Sequence, residues 1–289
     1  MKRSRLPLLA MLSASFAVAQ MPYPPGVTIP QYPAQMSLYE GPPLAPISQG
    51  PPQSPPPQAA AAGFTNLIFD DEFDNPYTVS LDGTGNYNWY TTNFMDPSLS
   101  LPPYGYSIQN GYLTILTDTS GYSAGLGTAS PSNTTNTWQH GYFEASIAFC
   151  PTCSEGASWP AFWSYSIEEA TGQLPASAPY AELDVMEYYT QGQTSQYTTT
   201  VHQRTAETNI QNSNNMPAIP RGTNLGNWHT YGCLWTSNQV QWYFDNQLVE
   251  TVATGPGTAF TALEQEHMFL ILGAGVQWPM YVDYVHVWH

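Results

Sequence analysis

From Phe64 to His289 the chain is written in short runs rich in Tyr, Trp, Thr and Val, set apart by clusters of Gly, Asn, Pro and Ser, with almost no helical periodicity. Runs that alternate apolar and polar residues with a period of two make half-buried strands, and many short ones in series make an all-β sandwich or barrel. The clearest strands are Tyr112 to Thr117, Tyr142 to Phe149, Ala181 to Tyr189, Tyr197 to Arg204, Trp228 to Trp235, Val240 to Asp245, Met268 to Leu272 and Met280 to Trp288. Val240 to Phe244 and Leu248 to Val252, joined around Asp245-Asn246-Gln247, read as a hairpin. In Tyr142 to Phe149 the alternation gives a core face of Phe143, Ala145, Ile147 and Phe149. The other face, Tyr142, Glu144, Ser146 and Ala148, looks outward or into a cleft.

Upstream of Phe64 the texture changes. Lys2, Arg3 and Arg5 precede an apolar run from Leu6 to Ala17 and a small-residue Ala17-Val18-Ala19 site, so residues 1–19 read as a signal peptide. Residues 20–63 hold nearly half of the 27 prolines, end on Ala59 to Ala62 and carry almost no charge. Such a segment cannot bury a core and is expected to be a disordered, extended tether. Residues 64–289 then form one folded domain. No later run approaches the roughly 20 apolar residues that cross a bilayer, so the expectation is a secreted protein, periplasmic or extracellular, without a membrane span.

Beyond the signal peptide only Arg204 and Arg221 stand against 21 acids. A polyanion needs Lys and Arg to replace its counterions, so nucleic acid is not a partner and sulfated polysaccharides fit poorly. A neutral polymer fits best, and a monomer is expected. In an exported chain Cys150-Pro151-Thr152-Cys153 could close a small disulfide in a turn. No set of four ligands has zinc spacing.

The chemistry concentrates in Glu182-Leu183-Asp184-Val185-Met186-Glu187. Glu182 and Asp184 are two apart and share a strand face, whereas Glu187 is five from Glu182 and would point to the other. A β-bulge around Val185-Met186 returns Glu187 to the same face, and bulges cluster beside active sites for such re-aiming. Two carboxylates flanking a glycosidic bond at about 5 to 5.5 Å support hydrolysis with retention through a covalent glycosyl-enzyme. In this scheme Glu182 attacks the anomeric carbon. Glu187, kept protonated by nearby negative charge, protonates the leaving oxygen and later activates water, while Asp184 hydrogen-bonds Glu182 and tunes both titrations. The greasy residues between the acids argue against a solvated acidic face.

These residues resemble the Glu-x-Asp-x-x-Glu signature of glycoside hydrolase family 16, in its bulged, laminarinase-like branch. Further elements in order strengthen the resemblance: Phe69 to Asp74 as the opening strand, Gly141-Tyr142-Phe143-Glu144-Ala145, Trp159-Pro160-Ala161-Phe162-Trp163, His202, Trp228-His229-Thr230-Tyr231 with Trp235, and Tyr281 to Val285 as the closing strand. The resemblance implies a β-jelly-roll of two curved antiparallel sheets with a concave substrate cleft. It also implies Glu182 as nucleophile, Glu187 as acid/base, and endo-cleavage of a β-linked polysaccharide such as β-1,3-glucan or mixed β-1,3/1,4-glucan. The chain departs from the pattern at Ser146 and His286, where the family usually has Arg, and in a short Gly273 to Trp278 stretch.

Four residues are candidates for substrate binding. Trp159 and Trp163 share a strand face and could stack on sugar rings. His202, on the polar face of Thr198, Thr200 and Arg204, is read as a sugar-hydroxyl contact in preference to a core histidine. Trp278 is a candidate for the cleft rim. No cofactor is required for the chemistry, and the resemblance implies a structural Ca²⁺ held through Glu72 and Asp283, whose oxygens suit that ion. A carbohydrate-binding module on the same scaffold, or a transglycosylase, would share much of this pattern. Only the module would not need three aligned acids.

Overall fold

The computed structural model describes residues 54–91, 106–115, 125–149, 158–188, 196–214, 219–275 and 279–289. The expected signal peptide, most of the expected tether, Cys150, Cys153 and Trp278 lie outside the described residues. The described chain is a jelly-roll sandwich of two sheets. Sheet A runs β14 (Gln247–Ala253), β13 (Gln239–Phe244), β12 (His229–Trp235), β7 (Gly141–Phe149), β16 (Met280–Trp288), β5 (Tyr112–Ile115), β4 (Tyr106–Gln109), with β1 (Leu67–Asp71) added on β16. Sheet B runs β11 (Asn209–Asn214), β10 (Thr198–Arg204), β9 (Tyr180–Glu187), β8 (Ser158–Ser166), β15 (Met268–Gly275), β6 (Gly125–Gly127), β3 (Trp89–Tyr90), β2 (Val79–Ser80). Neighbours pair antiparallel except β2 with β3. Among the described residues no helix is long and apolar enough to cross a membrane.

The core lies between the sheets, where Phe143, Ile147, Tyr231 and Trp242 of sheet A meet Phe162, Leu183, Val185 and Met186 of sheet B. The expected hairpin forms with Asp245 and Asn246 both in the left-handed region (φ 47° and 63°), as a two-residue turn between twisted strands requires. β11 was not expected. Its Asn-rich Asn209-Ile210-Gln211-Asn212-Ser213-Asn214 has little strand propensity, and it is held as an edge by pairing with β10 along its length.

The second face of β7 resolves as outward, on sheet A, across the core from the acidic run. It is covered rather than solvated. Tyr142 lies over Gly232 of β12, where a Cβ would collide with its hydroxyl, and donates to Glu144 Oε2 at 2.8 Å. Tyr284 donates to Glu144 Oε1 at 2.9 Å, so both oxygens of this buried acid are satisfied, while burial pushes its pKa up.

The described residues 54–63, expected to belong to the tether, pack against the domain. Pro57–Ala61 forms a helix, α1, with Pro at its start where the missing N–H costs nothing. Its fully buried Ala59 covers an outward apolar patch of Tyr142, Leu234 and Trp288 that would otherwise meet water. Gln58 Nε2 donates to Tyr142 Oη at 2.6 Å and to Asn246 Oδ1 at 2.8 Å, and Asn66 exchanges two backbone hydrogen bonds with His289. The apolar patch, invisible in a local reading, overrides the Pro-rich composition.

A chain beginning at Phe64 should therefore be less stable than one beginning at Ser54. The lost burial and the lost hydrogen bond from Gln58 to the Tyr142 hydroxyl amount to about 1–3 kcal/mol, or a fall in Tm of roughly 2–10 °C. Thermal denaturation of the two chains checks this, and equal melting temperatures would contradict the docking of α1.

Candidate active site

The site is built on the outward face of sheet B. β8 pairs Ala161 with Glu187, Phe162 with Met186, then Trp163 with Asp184, passing over Val185; β10 pairs Thr198 with Glu187 and Thr200 with Asp184. β9 thus carries one residue more than both neighbours at the expected place. Leu183, Val185 and Met186 all point into the core at 0–1% exposure, and Glu182, Asp184 and Glu187 share the outward face. The bulge frees the Asp184 carbonyl from the ladder, and Trp242 Nε1 donates to it across the core at 2.9 Å.

β10 supplies the partners of the acids. Arg204 Nη2 donates to Glu182 Oε1 at 2.8 Å. His202, directly opposite Glu182, places Nε2 3.6 Å from Glu182 Oε1 and 3.2 Å from Asp184 Oδ2, with Nδ1 3.0 Å from Asn209 Oδ1 of β11. Asp184 was expected to hydrogen-bond Glu182. It hydrogen-bonds Glu187 instead, because Arg204 and His202 already occupy the near oxygen of Glu182. From β8, Trp159 is half exposed at 51% and donates Nε1–H to Glu187 Oε1 at 3.1 Å. Trp163 lies on the same face, edge-on to Tyr165, which faces Glu182.

Burial dominates the electrostatics. Glu182 is pushed up to about 7 by desolvation and then by the charge of Asp184, against the pull of Arg204 and His202. Asp184 and Glu187 are both raised, chiefly by burial, and their mutual hydrogen bond keeps a proton between them at pH values where isolated carboxyls would be ionised. Burial lowers the pKa of His202. A nucleophile held by a cation beside a carboxyl that keeps its proton is the division of labour that acid-assisted displacement at an acetal carbon requires.

Glu182, Asp184, Glu187, Trp159, Trp163 and His202 are therefore brought together as the sequence suggested, and Trp278 lies outside the described residues. Arg204 and Asn209 were missed as site residues. The signal for Arg204 was present in its shared parity with His202 and in the rarity of basic residues. Asn209 had none, since it sits on the unexpected β11.

The proposed Glu72 and Asp283 pair is on the outer side of sheet A. Asp283 Oδ1 is buried without a hydrogen-bond partner, and burial with the charge of Glu72 raises the carboxyl to about 6, so this residue suits a hard cation. Glu72 suits it less, because His286 Nε2 lies 2.9 Å from its Oε1 and 3.2 Å from Asp70 Oδ1. Two of the three departures from the family pattern meet here: the Ser146 hydroxyl bonds Asp283, and His286 fills the space between Asp70 and Glu72. Neither touches the carboxylate cluster.

Residues 104–278 match the family model described as glycosyl hydrolases family 16. Two curated relatives from Rhizobium meliloti (strain 1021) are similar over 188 residues: the endo-1,3-1,4-beta-glycanase ExsH at 29% identity and the endo-1,3-1,4-beta-glycanase EglC at 30%, each covering 61% of this chain. The chain spans 36% of the length of these relatives. Among solved structures, the laminarinase catalytic domain from Thermotoga maritima MSB8 superposes with a TM-score of 0.56 at 20% identity, over 77% of this chain and 97% of that one. It attests the fold.

Behind Glu182, the buried Glu266 accepts the backbone N–H of Ala181 at 2.8 Å and is raised to about 8 by burial. Glu266 and Glu182 both titrate higher folded than unfolded, where the ordinary value is near 4.5. As pH rises the unfolded chain loses these protons first. The stability they confer is full below about 4.5 and is lost as pH climbs through about 7 and about 8. Tm should fall over that range, and Glu266→Gln, which stays neutral, should flatten part of the slope. An unchanged slope in this variant would refute the assignment.

Proposed function

The chain belongs to glycosyl hydrolase family 16, and from that premise we propose that it is an exported endo-β-glucanase that hydrolyses β-1,3-glucan or mixed β-1,3/1,4-glucan with retention of configuration. The observation that carries this reading is the bulged strand β9, which sets Glu182, Asp184 and Glu187 on one outward face. The names of the two Rhizobium relatives favour the β-1,3 and mixed linkages, and the scarcity of basic residues favours a neutral polymer. Export is supported by the charged, apolar and small-residue pattern of residues 1–19.

Glu182 attacks the anomeric carbon through its carboxylate while Glu187 gives its proton to the departing glycosidic oxygen. The bond between sugar and leaving oxygen breaks as that between sugar and Glu182 forms. Glu187, now ionised and stabilised by the hydrogen bonds from Trp159 and Asp184, takes a proton from water, whose oxygen displaces Glu182 and restores the starting state. Trp159 and Trp163 give the substrate a flat apolar surface beside the acids. His202 holds the space between Glu182 and Asp184 and offers an edge to sugar hydroxyls. A structural calcium would be anchored by Asp283, where it would neutralise buried charge on sheet A and take no part at the carboxylates.

New reducing ends should appear with laminarin and lichenan and not with agarose. Glu182→Gln and Glu187→Gln should each lower kcat by about a thousandfold while leaving the fold intact by circular dichroism. Full activity in Glu182→Gln, or no product from either glucan, would overturn the reading.

A further inference from the structure

We propose that Arg204 is a positioning residue: its guanidinium reaches from β10 onto Oε1 of Glu182 and holds that carboxylate ionised and oriented for attack. The proposal rests on Glu182 being the nucleophile. Three observations carry it.

The first is placement. Arg204 pairs with Tyr180, two residues before Glu182 on β9, so its side chain runs diagonally along the outward face to reach the carboxylate at 2.8 Å. His202, opposite Glu182, touches the same oxygen, which leaves Oε2 as the attacking atom. The second is composition. Beyond residue 19 the chain has two basic residues, Arg204 and Arg221, and one of them is spent on a carboxylate that is 7% exposed. Arg suits this use because its charge is permanent and its planar fork fixes the geometry.

The third is the local balance of charge. Glu182 faces Asp184 and Glu187 from its own strand, His202 and Arg204 from β10, and Tyr165 from β8. Of these only Arg204 carries permanent positive charge. Burial and the neighbouring acids favour the protonated, unreactive form of Glu182, and Arg204 is the largest influence opposing them. A buried carboxylate that lost this partner would keep its proton to higher pH. The Arg204 side chain is 33% exposed, so a sugar contact is the competing role.

The test reads the nucleophile alone. The full chain and its Arg204→Gln, Arg204→Met and Arg204→Lys variants are treated with a dinitrophenyl laminaribioside fluorinated at carbon two, whose leaving group needs no acid. Labelling rates are followed from about pH 4 to about pH 9 by intact mass, with peptide mapping of the modified residue. In the wild type the label should fall on Glu182 and its rate should rise with pH. In Arg204→Gln and Arg204→Met the midpoint should move up by about one pH unit, making labelling about tenfold slower on the acid side, and Arg204→Lys should recover most of the shift. Two neutral variants guard against one that fails to fold. Label on Glu182 with an unmoved midpoint, even with a raised KM, would overturn the role of Arg204 and leave Glu182 as nucleophile. Label on another residue would overturn both.

Discussion

One residue, Val185, has no partner of its own on either side of β9, and the arrangement of the site depends on it. In an unbroken strand Glu187 would point into the core among Leu183, Val185 and Phe162, where an unpaired carboxyl is costly. The extra residue sends two consecutive apolar side chains inward and returns Glu187 to the face of Glu182 and Asp184. A bulge leaves backbone groups without ladder partners. Here the indole of Trp242, from the opposite sheet, takes the Asp184 carbonyl, so the irregularity on one sheet is fixed by the core contributed by the other.

Around that irregularity the chain solves a problem of charge with few cations. Three acids, two buried and one half-buried, share one arginine, and the rest of the compensation comes from protons and neutral donors: the Asp184 to Glu187 hydrogen bond, the indole of Trp159, and His202. The same economy appears on the outer face of sheet A. There Glu144 is satisfied by two tyrosine hydroxyls, and His286, stacked on Tyr284, stands between Asp70 and Glu72. Both faces therefore contain carboxyls that titrate above the ordinary range, and that ties stability and reactivity to pH.

Much of this was legible in the sequence because it depends on local phase. The five-residue interval from Glu182 to Glu187 fails strand alternation, and that failure locates the bulge. Equal parity puts Trp159 with Trp163, and His202 with Arg204. What could not be read depends on pairing between distant segments. The role of Arg204 needs the register of β10 on β9, and β11 exists through that pairing despite an Asn-rich sequence. α1 forms in a Pro-rich segment because Tyr142, Leu234 and Trp288 require a cover. Ser146 and His286, which in sequence are only departures from the family pattern, lie on the sheet remote from the carboxylate cluster once β7 and β16 are paired.

With Glu182 and Glu187 on one face, the bulged strand supports two successive displacements at one carbon. The proton NMR spectrum of the first reducing ends released from laminarin, recorded before mutarotation, tests this most directly. The β-anomer should appear first, and the α-anomer should follow as the mixture equilibrates. An initial α-anomer would mean a single displacement by water, and would contradict the assignment of Glu182 as a nucleophile.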